Sequence, residues 1–183
     1  KLILRDLVRI IDDIRKVNAI HLHLSLDKII VANNMLKFTG LEYMNPVSNA
    51  KLDEVDIKYI MSHYTNLSCL APEVLLQRFI GYKTQVFSFG YLLYVITHGF
   101  NPFDGDDEKS LQNCYLDETK PFIDPDLDPR IYYLIQRTIC IDYNDRIGFT
   151  EIKKEVLEMF KSVKKDEDVL RYKLYFFRNA NVE

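Results

Sequence analysis

The sequence predicts a mainly helical α+β fold, a helical body carrying one small β-hairpin near residues 28–40. Three observations carry that reading. Ile3, Leu7, Ile10, Ile14 and Val17 recur at alternating steps of four and three, the period of an amphipathic helix. The stretch "VFSFGYLLYVIT" at 86–97 is apolar nearly all round, as a helix buried on every side must be. Between them, the apolar runs "KIIVAN" (28–33) and "MLKFTG" (35–40) meet at Asn33-Asn34, and Asn tolerates the left-handed backbone of a tight hairpin.

In the first segment, Leu4, Val8 and Ile11 widen the apolar stripe, so that helix is covered on more than one side. Residues 41–70 lack a clear period and contain Pro46, which reads as a long functional or mobile loop. "APEVLLQRF" (71–79) reads as a short helix with proline near its start. Thr84 to His98 forms the central helix and Gly99 its C-cap. A polar loop from Asp104 runs into another short helix. "DPRIYYLIQRTIC" (128–140) is helical with Pro129 in its first turn, and "FTEIKKEVLEMFKSV" (149–163) is the last clear helix, with Thr150 as its N-cap.

At 183 residues the chain is long enough for one domain and a small appendage. A net charge of −3 provides no basic excess to neutralise phosphates, so no nucleic-acid partner is expected. Cys69, Cys114 and Cys140 are few, odd in number and widely spaced. They give neither a disulfide framework nor a zinc pattern, and suit a reducing intracellular compartment such as the cytoplasm. The 86–97 stretch is too short to cross a bilayer, so no transmembrane segment is expected.

Four motifs stand in an order that resembles the C-terminal lobe of a eukaryotic protein kinase. "IHLHLSLDKIIV" (20–31) lies where that family has its catalytic loop, H-R-D-L-K-P-E-N-I-L-V. "APE" (71–73) is intact. "KTQVFSFGYLLYVITHGFNPF" (83–103) is similar to the family's central-helix block, and "CIDYNDRIGF" (140–149) to the segment ending in Arg-Pro-Thr. The resemblance covers residues 1–160, which are read as the kinase-like lobe, with 161–183 as a C-terminal extension. The family's N-lobe is expected to be absent, because no glycine-rich phosphate loop or lysine-bearing strand occurs in the sequence.

The resemblance also implies which residues have been exchanged. His21 matches the family histidine, while Leu22 replaces its arginine, His23 the base aspartate, Ser25 the lysine and Lys28 the metal-binding asparagine. Aligning "LKFTGLEYM" with the family's D-F-G segment puts Gly40 at its metal-binding aspartate and Leu41 at the phenylalanine that packs on the loop histidine. Glu42 is then a solvated loop carboxylate. Glu73 and Arg146 are expected to form the family's buried ion pair, and Gln85 to stand for the central-helix aspartate that holds the catalytic-loop backbone. Without the family arginine, Ser62, Tyr64 and Thr65 read as ordinary loop residues.

These exchanges imply a catalytically inactive, pseudokinase-type lobe, not an enzyme, with no cofactor and no metal. Its function would be that of a protein-binding or scaffolding module within a larger chain or multi-subunit complex. The alternatives are an atypical ATP-dependent protein kinase whose N-lobe is missing here, and a helical structural subunit of an assembly. In the extension, "VLRYKLYFF" places Leu170, Tyr172, Leu174, Phe176 and Phe177 in a run that is costly to expose. It folds back on its own lobe, docks into a protein partner as a strand or helix, or makes a basic amphipathic membrane contact.

Overall fold

A computed structural model describes residues 2–33, 35–47, 62, 67–77, 79–103 and 107–161. The first helix, α1 (Leu2–Lys16), buries Leu4, Leu7, Val8, Ile10, Ile11 and Ile14. Val17, expected on its apolar stripe, is instead 67% exposed. The helix stops at Lys16, and Asn18 turns the chain with a φ of 56°.

The hairpin pairs β2 (Ile29–Ala32) with β3 (Met35–Phe38), in antiparallel register from Ile29 opposite Phe38 to Ala32 opposite Met35. Asn33 takes the left-handed conformation at φ 54°, a region that Asn enters more cheaply than most residues. Helix α1 holds this hairpin by both backbone groups of one residue. The Leu36 N–H donates to Asp6 Oδ2 at 3.0 Å, and Arg9 Nη2 donates to the Leu36 carbonyl at 2.9 Å. Asp6 is thereby buried with a partner, which avoids the cost of an unsatisfied carboxylate.

One strand of a second two-stranded sheet lies inside the stretch 41–70 read as irregular. Strand β1 (Ala19–His21) pairs antiparallel with β4 (Met44–Pro46), His21 opposite Met44. Strands of three residues are too short to show a period-two pattern. A 3₁₀ turn at Leu41–Tyr43 leads into β4, and residues 48–61 and 63–66 of that stretch lie outside the described residues.

Helix α2 (Pro72–Leu76) begins with its proline in the first turn but ends earlier than residue 79. The N–H groups of Gln77 and Phe79 both donate to the Glu73 carbonyl and close it off. The central helix α3 (Tyr82–His98) buries Val86, Phe87, Phe89, Tyr91, Leu92, Leu93 and Tyr94. Gly99, at φ 80°, ends it and donates its N–H to the Val95 carbonyl at 2.9 Å. Helix α4 (Glu108–Leu116) is capped by Asp107, which accepts from the Ser110 N–H. Helix α5 (Pro129–Thr138) is capped by Asp128 and has Pro129 in its first turn. Helix α6 (Phe149–Lys161) opens on Phe149, so Thr150 stands inside the helix and not at its cap. The Gly148 carbonyl receives the N–H groups of Glu151 and Ile152 there.

Helix α3 is the axis of the body: α5 and α1 pack on it, with the Leu67–Cys69 turn and β1 beside them, while α6 packs on α1 and α5. The closest approach is at Gly90, where a Cβ would stand 2.2 Å from Thr138 Oγ1. A side chain at that position is excluded by α5 itself. Among the described residues the architecture is mostly helical with two small antiparallel sheets, and the 162–183 segment lies outside them.

Candidate catalytic loop

The loop between β1 and β2 is fixed from three sides. From below, Gln85 on α3 accepts the His21 N–H through Oε1 at 2.8 Å, which ties the end of β1 to the central helix. From the side, the Leu22 N–H donates to the Tyr43 carbonyl, continuing the β1–β4 ladder. Beyond it, Ser25 precedes a 3₁₀ turn at Leu26–Lys28, and the Lys28 N–H returns to the Ser25 carbonyl at 3.1 Å. Apolar Ile20, Leu22 and Leu24 are all buried, so the backbone is anchored at alternate residues.

Tyr43 is the residue on which this loop is assembled, and its part is not visible in any motif. His21 packs edge-on to Phe38 at 5.0 Å and lies 6.0 Å from Tyr43, while His23 meets the Tyr43 ring edge-on at 5.0 Å. The ammonium of Lys28 sits 5.3 Å over the same ring. Leu41 does not take the packing position assigned to it. It is 71% exposed, because Gly40 turns through φ 78° and points the next residue outward, leaving Phe38 and Tyr43 to flank His21. Gly40 is itself confined, since a Cβ there would lie 2.9 Å from Tyr43. Glu42 is exposed.

Both histidines are enclosed. Thr39 offers a carbonyl 3.2 Å from His21 Nε2, so that nitrogen carries the proton and donates. Burial lowers the His21 pKa, opposed by its hydrogen bonding to the backbone at Thr39 and Gly40. His23 is 0% exposed, and burial lowers its pKa from the ordinary 6.5 to about 4, so it stays a neutral imidazole at pH 7. Cys69 lies in the same interior, its thiol pushed up by burial.

Asp27 contrasts with both histidines. Half of its side-chain surface is exposed; Oδ1 accepts the Ser25 hydroxyl and Oδ2 lies 3.1 Å from Lys28 Nζ. Burial works against its charge, but the bonds from Ser25 and Lys28 prevail and hold its carboxyl below the usual range. The same bond raises the Lys28 pKa. Sequence reasoning passed over Asp27, although a carboxylate beside a lysine in a catalytic-type loop was a visible signal.

A second buried centre lies at the N-terminal end of α3. Glu73 Oε1 and Oε2 accept Arg146 Nη1 and Nη2 at 2.8 and 2.7 Å, a two-point pair in which both residues are 2% exposed. Arg146 also donates to the carbonyls of Cys140, Ile141 and Lys83, and Thr84 Oγ1 donates to Glu73 Oε1 at 2.7 Å. Thr84 in turn accepts the Gly81 N–H, so the pair also caps α3. Every donor of the guanidinium fork has an acceptor, which is what a buried charge requires.

Comparison with known proteins decides the family. The family model described as protein tyrosine and serine/threonine kinase matches residues 6–156. The chain belongs to the protein kinase family. It is 34% identical over 103 residues to the dual specificity protein kinase pyk3 of Dictyostelium discoideum, a match covering 56% of this chain and 8% of that protein. It is 27% identical over 150 residues to the probable serine/threonine-protein kinase KIN1 homolog of Encephalitozoon cuniculi (strain GB-M1), covering 81% of this chain and 25% of that protein. The chain therefore spans a quarter or less of either relative.

These matches overturn the inference that the chain is not an enzyme. That inference rested on His23, Ser25, Lys28 and Gly40 at the family's chemical positions, whereas the family and both relatives point to a protein kinase, at low identity. The match also sets aside an unrelated helical subunit. None of the described helices is long and apolar enough to cross a membrane. Kinase chemistry ordinarily involves divalent metal ions. Lys28 and Gly40, which the motif alignment puts at the family's metal positions, bring no oxygen-bearing side chain, so in that alignment the residues present do not fit a metal held in the family's manner.

Proposed function

We propose that this chain is the helical lobe of a protein-kinase domain that transfers the γ-phosphoryl group of a nucleoside triphosphate to a protein hydroxyl. The observation that carries the reading is the clamp on the catalytic loop: Gln85 fixes His21 from α3, and α3 is capped through Thr84 by the Glu73–Arg146 pair. Phosphoryl transfer is largely a matter of positioning and electrostatic stabilisation, so a loop held this rigidly is the main structural requirement on this side of the site. In this reading the nucleotide-side parts come from another segment or subunit. The test is transfer of labelled γ-phosphate from ATP to protein substrate by the full-length protein, together with its melting temperature. Transfer and stabilisation by ATP support the reading, and absence of both overturns it.

A second reading is a protein-binding or scaffolding role of the same lobe in a larger chain or complex. It is favoured by the run containing Leu170, Tyr172, Leu174, Phe176 and Phe177, with Arg171 and Lys173 between them. A groove of about 440 Å³ between α2, α4 and the 141–144 loop, lined by Leu76, Phe79, Ile141 and Tyr143 with Glu118 and Asp142, offers acidic and apolar surface of matching character. Deleting 169–183 from the full-length protein and comparing recovered partners tests it. Loss of a partner supports this role, and retention of every partner counts against it.

A further inference from the structure

We propose that Asp27 and Lys28 form the chemical pair of this loop, Asp27 taking the proton of the accepting hydroxyl and the Lys28 ammonium balancing charge on the transferred phosphoryl group. The inference rests on the kinase reading above and assigns the base to a residue outside the family's usual position.

The geometry first removes the nearest rival. A base must come within about 2.6–3.2 Å of the proton it takes. His23 occupies the family's base position, but its ring is sealed under Tyr43 with no exposed surface. Glu42 is exposed on its own turn but stands beyond Gly40, outside the β1–β2 loop. Asp27 lies in that loop four residues after His23, and half of its side-chain surface is open.

Asp27 is also held in place. The 3₁₀ turn fixes its backbone between Ser25 and Ile29, the Ser25 hydroxyl holds Oδ1, and Lys28 holds Oδ2. The two donors keep the carboxylate in its ionised form, the form in which a base can take a proton, and the hydroxyl of Ser25 steadies its direction. Lys28 is mounted in turn by the face of Tyr43, with 23% of its side chain exposed. Where the family has a metal ligand this chain has an ammonium, which brings positive charge without an ion. Charge stabilisation by a fixed cation is a large contributor to phosphoryl transfer.

In the step itself, the hydroxyl oxygen of the acceptor attacks the γ-phosphorus of the nucleoside triphosphate. A new P–O bond forms and the bond to the β,γ-bridging oxygen breaks. The nucleoside diphosphate leaves with that electron pair, and the hydroxyl proton passes to Asp27.

The experiment measures transfer from γ-labelled ATP to a mixed Ser/Thr/Tyr peptide library by the full-length protein and by Asp27→Asn, Asp27→Glu and Lys28→Met. For Asp27→Asn the expected result is a fall in kcat of about 10²-fold or more, with KM and melting temperature little changed. Asp27→Glu restores part of the rate, which a merely structural role would not predict. Lys28→Met lowers kcat by about 10²-fold, and decides the matter if Asp27→Asn fails to fold. Near-wild-type transfer by folded Asp27→Asn or Lys28→Met overturns the pair and leaves the kinase reading standing. No transfer by the wild-type protein overturns both.

Discussion

Glu73 shows how much one side chain carries. Glu73→Gln leaves the Arg146 guanidinium buried without a countercharge, and removal of one partner from such a pair costs about 3–5 kcal/mol. Urea unfolding of the variant is expected to give an unfolding free energy lower by that amount, seen as a shift of the midpoint to lower urea. The double variant Glu73→Leu/Arg146→Met is expected to lose less than the single one, because no charge is then stranded. The order of motifs in the sequence singled out His21, His23, Ser25, Lys28, Glu73, Gln85 and Arg146, and the structure pairs Glu73 with Arg146 and joins Gln85 to His21. It did not disclose Tyr43 as the ring under the loop, nor that Asp27 is the open carboxylate. Those facts depend on residues that approach through the fold, such as Tyr43 beside His23, and no spacing along the chain encodes them.

Among the elements, the helices were legible because their apolar period runs over many residues. The central helix was read from Thr84 and begins at Tyr82, and α5 was read one or two residues too long at each end. The short pieces were not: α2 stops at Leu76, and β1 and β4 pair over three residues each. Hydrogen bonds to the Glu73 carbonyl, and a ladder between distant segments, decide those boundaries. Packing of α3 on α5 yields a further expectation. Gly90→Ala gains some helix propensity, roughly 1 kcal/mol, but its methyl group meets Thr138. Overpacking of this kind costs about 1–3 kcal/mol. A net loss is expected in thermal melts, and adding Thr138→Ser does not relieve it, because serine keeps both the hydroxyl oxygen and the Cβ that lie under 3 Å from the new methyl group.

For the whole molecule, the buried histidines set a pH limit. The His23 pKa is depressed from 6.5 to about 4, so between those values the unfolded chain binds a proton that the folded chain does not. Stability is therefore full above about pH 6.5 and falls as the pH drops toward 4, and His21 adds to the same trend. Melting temperatures measured from pH 7.5 to 4.5 are expected to decline through that window, and His23→Phe to flatten the decline. Asp27 and Asp12, whose pKa values are lowered, contribute stability that is lost only at more acidic pH.

The Arg146 fork has a consequence for how the chain comes together in time. Its partner Glu73 is 73 positions away, inside α2, and α3, α4 and α5 run between them. Closing so long a loop gives no return until both ends are present, so this contact forms late and ordering must spread across all four helices at once. A chain released from synthesis before residue 146 holds Glu73 with no countercharge to bury it. Folding of the α2–α5 block therefore waits for the segment that follows it.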